Sequence, residues 1–87
     1  MITAKEARNK VLGYIINGEK CTNLIKYINR SIEYSCDSYL LSTSVFLEYR
    51  LDFVILEALK TYYTDLGYVF EYRPNYKDDV STIFISW

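Results

Sequence analysis

Small and apolar side chains recur at alternating spacings of three and four residues from Ala4 to Ser35, and this phase constrains the fold more than any other feature. The positions read Ala4, Ala7, Val11, Tyr14, Gly18, Cys21, Ile25, Ile28, Ile32 and Ser35. Such spacing places side chains along one face of a helix. Thr3 followed three residues later by Glu6 is a capping box that starts the helix at Ala4. Asn17-Gly18 interrupts it with a turn signal, and a glycine inside a helix costs about 1 kcal/mol relative to alanine. Two readings follow. One is a single helix from 4 to 34, bent near Gly18. The other is an αα-hairpin turning at 17–22. A loop has no reason to preserve the 3–4 phase, which favours the continuous helix.

Beyond it the punctuation changes. Cys36-Asp37-Ser38 ends the helical pattern, and Tyr39-Leu40-Leu41-Ser42-Thr43 has the aromatic, aliphatic and β-branched content of a strand over 39–43. Ser44 is placed to cap a helix over 45–66, with Leu47, Leu51, Val54, Ile55, Ala58, Leu59, Tyr62 and Leu66 on one face. Gly67 stands where a left-handed residue closes a helix. The segment 68–87 reads as a β-hairpin: Tyr68, Phe70 and Tyr72 alternate with Val69, Glu71 and Arg73. A polar turn with the only proline, Pro74, leads to Ile83, Ile85 and Trp87 in phase. These elements give one α+β domain over residues 1–87. It has a long N-terminal helix and then β-α-β-β, forming a three-stranded antiparallel sheet. The C-terminal strand is the most apolar and is placed centrally.

Composition narrows the chemistry. The chain has no histidine, so it lacks the commonest general base and the commonest metal ligand. Its two cysteines, Cys21 and Cys36, are too few for a zinc site. On one helix they lie about 22 Å apart, beyond bridging distance. Asp78 and Asp79 lack the spaced ligands of a calcium loop, and Ser42-Thr43-Ser44 lacks a base to activate a nucleophile. The expectation is a protein that is not an enzyme, with no catalytic residues, cofactor or metal. No apolar run reaches the ~20 residues of a membrane span, and charges at Lys5 and Glu6 interrupt any signal-peptide pattern. Reduced cysteines and the missing leader point to the cytoplasm. The net charge of −1 divides into a basic first part, six Lys and Arg against three Glu over residues 1–36, and an acidic remainder. That balance does not suit a dedicated nucleic-acid binder.

Eighty-seven residues lie near the lower limit for a domain that folds alone, and neither disulfide nor metal is on offer. Association is the remaining aid. A helix over 4–34 would be ~46 Å long, whereas short strands span only ~20 Å, so its apolar seam would overhang its own sheet. Val11, Tyr14, Cys21, Ile25, Ile28 and Ile32 are therefore the expected interface of a homo-oligomer. Ten tyrosines exceed what so small a core buries with every hydroxyl satisfied, and tyrosine is enriched at protein interfaces. The expected function is a non-enzymatic interaction protein; the alternative is a small-ligand or nucleotide-binding protein with a tyrosine-lined pocket between subunits.

Three runs carry a family resemblance: Met1-Ile2-Thr3-Ala4-Lys5-Glu6-Ala7, Leu66-Gly67-Tyr68-Val69-Phe70-Glu71-Tyr72 and Ile83-Phe84-Ile85-Ser86-Trp87. They resemble a loose group of small bacteriophage-encoded proteins of unknown function. The resemblance implies a viral origin, the same long N-terminal helix, and a place in the host cytoplasm. Its partner would be a host component or another phage protein in assembly. It implies no activity.

Overall fold

The structure, a computed structural model, describes residues 2–87, which leaves Met1 of the first resemblance run outside it. Helix α1 (Ala4–Ile16) starts on its Thr3 cap, whose Oγ1 accepts the Glu6 amide at 3.1 Å. The helix does not continue to residue 34. Asn17 keeps helical angles, but Gly18 turns to φ −71° and ψ 155° and becomes the N-cap of a second helix, α2 (Glu19–Asp37). One extended residue is enough to break the hydrogen-bond ladder, because Gly18 donates to Ile15 instead of continuing it.

The 3–4 phase misleads because it belongs to α2 alone. Cys21, Leu24, Ile28, Ile32 and Ser35 form the buried stripe of α2. In α1 nothing is fully buried, and the protected side is Ala7, Leu12, Ile15 and Ile16, with Val11 and Tyr14 left exposed. The break lets α1 present that different face and pack against the third helix.

Strand β1 (Ser42–Leu47) lies further along the chain than the 39–43 expected, and α3 (Phe53–Asp65) is correspondingly shorter than 45–66. Leu47, Leu51 and Val54 have helical spacing, yet Val45 and Leu47 are buried on either side of exposed Phe46, which is the alternation of a strand. The loop 48–52 between them is pinned from two sides. Ser81 Oγ donates to the Tyr49 carbonyl at 2.7 Å, and the Leu51 amide donates to Tyr72 Oη at 2.8 Å. Gly67 ends α3 at φ 95°, with Tyr68 and Gly67 amides returning to the Tyr63 and Thr64 carbonyls.

β2 (Val69–Asn75) and β3 (Val80–Ser86) form the hairpin, and the sheet order is β1-β3-β2, antiparallel throughout. The C-terminal strand is thus central. The fold is α+β: three helices and a three-stranded sheet, helix first and then β-α-β-β if α1 and α2 are counted as the helical lead. Leu24, Ile28, Ile32, Val45, Leu47, Leu59, Tyr63, Ile83 and Ile85 make the core between helices and sheet. Tyr63 is fully buried at its centre. Its hydroxyl donates to Asn29 Oδ1 at 2.9 Å, and its ring meets Tyr62, Tyr68 and Phe70 at 5.0–6.1 Å. Burial pushes this phenol well above the usual tyrosine range, with the Tyr62 and Tyr68 hydroxyls adding to the effect.

Candidate interaction surface

The helices cover one face of the sheet and leave the other bare. Alternation decides which residues show: Thr43, Val45, Leu47, Ser81, Ile83, Ile85, Phe70 and Tyr72 turn inward, while Phe46, Phe84, Val69, Glu71 and Arg73 lie on the open side. Phe46 and Val69 are exposed, and the Arg73 guanidinium sits 4.8 Å from the Phe84 ring centre. Near the start of β1, Tyr34 and Leu40 line one depression with Val69 and Phe84 of this face, and their chain neighbours Tyr39 and Leu41 are exposed too.

Tyr39 is the unusual member. α2 closes with the paired hydrogen bonds of a Schellman motif, Leu40 amide to Ser35 carbonyl at 2.8 Å and Tyr39 amide to Cys36 carbonyl at 3.0 Å. That motif wants glycine at its left-handed position, yet Tyr39 occupies it at φ 62°. Its side chain is 96% exposed. A left-handed conformation costs a residue with a Cβ roughly 1–2 kcal/mol, and nothing in the chain's own fold offsets it here.

A second feature lies between α2 and β1. Lys20, Asn23, Leu24, Tyr27, Leu47 and Tyr49 line a groove of about 610 Å³, open to solvent. Lys20 Nζ stands 5.9 Å from the Tyr49 ring centre and 4.0 Å from Asp52, both ends of that ion pair being exposed. A smaller depression adjoins it through Asn23 and Tyr27 and carries Lys26 and Arg30 on the outer flank of α2.

The six residues expected to form an oligomer seam are divided by the fold. Cys21, Ile28 and Ile32 are buried within the chain and Ile25 packs half-buried against the same core, so these four serve its own fold. Val11 and Tyr14 remain exposed on α1. The cysteines do not meet; Cys21 is buried, and desolvation pushes its thiol up against the opposing pull of Lys20. Of the ten tyrosines only Tyr63 is buried, while Tyr14, Tyr27, Tyr34, Tyr39, Tyr49 and Tyr76 are exposed.

In the β2–β3 turn, Asp79 is bound by Arg50 at 2.7 Å and Asp78 Oδ2 accepts from Asn75. Both carboxylates therefore have partners within the chain. Among the described residues no three His, Cys, Asp or Glu side chains are grouped to hold a metal. Among the same residues no helix is long and apolar enough to cross a membrane. Sequence reasoning missed the Tyr39-Leu40-Leu41 cluster because it placed those residues inside a paired strand. The available signal is Cys36-Asp37-Ser38, which ends the helix and puts Tyr39 where a left-handed glycine is the rule. No family model, curated protein or solved structure matches this chain.

Proposed function

We propose that this chain is a non-enzymatic interaction protein of bacteriophage type, acting as a homo-oligomer on a host component or in phage assembly. The single observation that carries this reading is Tyr39. A left-handed tyrosine that buries nothing in its own chain weakens the fold, and an aromatic anchor for another surface gives it a purpose. Tyr34 and Leu40 line one depression with Val69 and Phe84 of the open sheet face, and Tyr39 and Leu41, both exposed, flank Leu40 in the chain. Exposed apolar side chains grouped in this way beside serines suit an interface core. The phage attribution rests on the residue runs at the two ends of the chain.

The oligomer contact moves with the helix break. An overhanging seam is gone, and the patch around Tyr39 takes its place, with Val11 and Tyr14 as a separate exposed pair on α1. Sedimentation equilibrium on wild type and Leu41→Glu tests this. Leu41 is 71% exposed, so the added charge leaves the monomer intact but stands against an apolar contact in the assembly. Wild type is expected to associate and Leu41→Glu to remain monomeric. A monomeric wild type at high concentration would overturn the homo-oligomer.

A second reading is favoured by the groove beside Lys20, where a cation and two tyrosines, Tyr27 and Tyr49, converge. That arrangement suits an anionic, aromatic small ligand such as a nucleotide, held within one chain instead of between subunits. A thermal-shift panel of nucleotides decides it, since ligand at 100 times its dissociation constant stabilises by about 2.7 kcal/mol.

A further inference from the structure

We infer that two copies of this chain join about a twofold axis by reciprocal insertion of Tyr39. Each ring enters a depression on the open sheet face of the other copy. This rests on the homo-oligomer reading and names what receives the tyrosine. The depression is lined from α2 by Tyr34, from the connection into β1 by Leu40, and from the sheet by Val69 and Phe84. Its volume is about 470 Å³, more than one phenol ring fills. The β1–β3 register sets Ser42 opposite Ser86 and Ser44 opposite Phe84, so these three serines bring hydroxyls to the same depression. Apolar side chains mixed with hydroxyls suit a guest that is apolar along its body and polar at its tip, which describes tyrosine.

The chain's own Tyr39 does not fill this space. Its backbone is fixed at φ 62° by the two hydrogen bonds that close α2, one through its own amide and one through the Leu40 amide. Its side chain, 96% exposed, touches next to nothing in its own chain. Consecutive Cα atoms are about 3.8 Å apart, so the ring projects from a point one residue away from Leu40 in the lining. One patch thus carries both a projecting ring and a place for one. A contact between identical surfaces about a twofold has this requirement: residue i of one copy meets residue j of the other, and j meets i.

Charge and area favour a second copy as the occupant. A twofold contact brings like charges together, and Glu71 is the one charged residue that lines the depression. Arg73 Nε holds its Oε1 at 2.9 Å, so an identical patch is not repelled and a strongly charged partner finds nothing to select. A tyrosine buries up to about 250 Å², so Tyr39 and Tyr34, at 96% and 73% exposure, present roughly 400 Å² between them. That is half of the ~800 Å² each partner contributes to a standard interface. Leu40, Leu41 and Val69, between 53% and 71% exposed, add apolar area toward the rest. Reciprocal insertion uses both rings and both depressions at once, so assembly stops at a dimer.

Complementation between two variants tests the inference. Tyr39→Ala lacks the inserting ring, and Ser44→Trp, at an exposed position, fills the receiving depression. Sedimentation equilibrium should show wild type as a dimer, and each variant alone should lose roughly thirtyfold or more in association for each of the two contacts. Mixing restores one contact, between Tyr39 of the Ser44→Trp chain and the open depression of the Tyr39→Ala chain. The mixture should therefore associate about thirtyfold more tightly than either variant alone. Should Ser44→Trp not fold, Val69→Trp fills the same depression from β2. Independently of any variant, NOEs between labelled and unlabelled wild-type chains should join the Tyr39 ring to Phe84 and Val69. A wild type that is monomeric at high concentration would overturn the homo-oligomer, and this contact with it. A wild type that associates while the tryptophan variants match it, or a mixture no tighter than its components, would leave the homo-oligomer standing and overturn the insertion. So would association that grows past the dimer, or Tyr39 NOEs to a different surface.

Discussion

Replacing Tyr39 by glycine should make the isolated chain more stable and its assembly weaker. At φ 62° the tyrosine Cβ costs roughly 1–2 kcal/mol, while glycine gives back about 0.5–1 kcal/mol through its freer unfolded chain. The net gain is about 0.5–1 kcal/mol. In a domain of this size it raises the melting temperature by roughly 2–8 °C. No intramolecular contact offsets it, because the side chain is 96% exposed. In the oligomer the sign reverses: a buried tyrosine anchor contributes about 2 kcal/mol or more, which exceeds the gain. Tyr39→Gly should therefore melt above wild type in dilute solution and below it in concentrated solution. Tyr39→Ala, which keeps the backbone penalty and loses the ring, should match wild type when dilute and fall below it when concentrated. Melts followed by circular dichroism across a hundredfold dilution read all three. A glycine variant less stable than wild type in dilute solution would refute the backbone argument. One stabilised equally at every concentration would remove Tyr39 from any interface.

Three further outcomes test the fold. Ile83→Ala, at a fully buried position on the central strand, should lower the urea-unfolding free energy by about 2–5 kcal/mol, whereas Thr82→Ala on the open face should cost under ~1 kcal/mol. Gly18→Ala should destabilise by about 0.5–1 kcal/mol in the same assay, since alanine is a poor N-cap and its Cβ would sit 3.2 Å from the Ile15 carbonyl; stabilisation would instead indicate a continuous helix. Tyr63 is held neutral in the folded chain, so its contribution is complete below the ordinary tyrosine pKa of about 10 and declines as pH rises past it; urea midpoints between about pH 8 and 11 should fall for wild type and fall less for Tyr63→Phe.

Much of this architecture is legible in local chemistry. The Thr3 cap, the Gly67 stop and the alternation through Ile83 and Ile85 each act over a few residues, and each is where such signals put it. The misreadings share a different cause. At Gly18 and again at Ser44, apolar spacing conflicts with a turn or a strand signal, and the turn and the strand prevail. Spacing reports a face only if the backbone is already helical. Val11 and Tyr14 are in register with Ile25 and Ile32 along the sequence, yet one φ/ψ change at Gly18 uncouples the two faces. Val45-Phe46-Leu47 has the β-branched and aromatic content of a strand, and Leu47 merely happens to stand four residues before Leu51.

The interaction surface was legible only in part, and the reason bears on where association energy can reside. The seam residues chosen from the sequence were the best apolar residues available, and a folding chain uses those first: Cys21, Ile28 and Ile32 are consumed by its own core. What remains for a partner is what folding had no use for, namely the ring of Tyr39, held out from the left-handed position that closes α2. It does not announce itself through hydrophobic periodicity. It shows as a residue type mismatched to its dihedral angle. An interface built from such leftovers can be altered without unfolding the protein. Leu41→Glu and Tyr39→Gly should each separate binding from stability, where a charge at Ile25, half-buried against the core, would destroy both together.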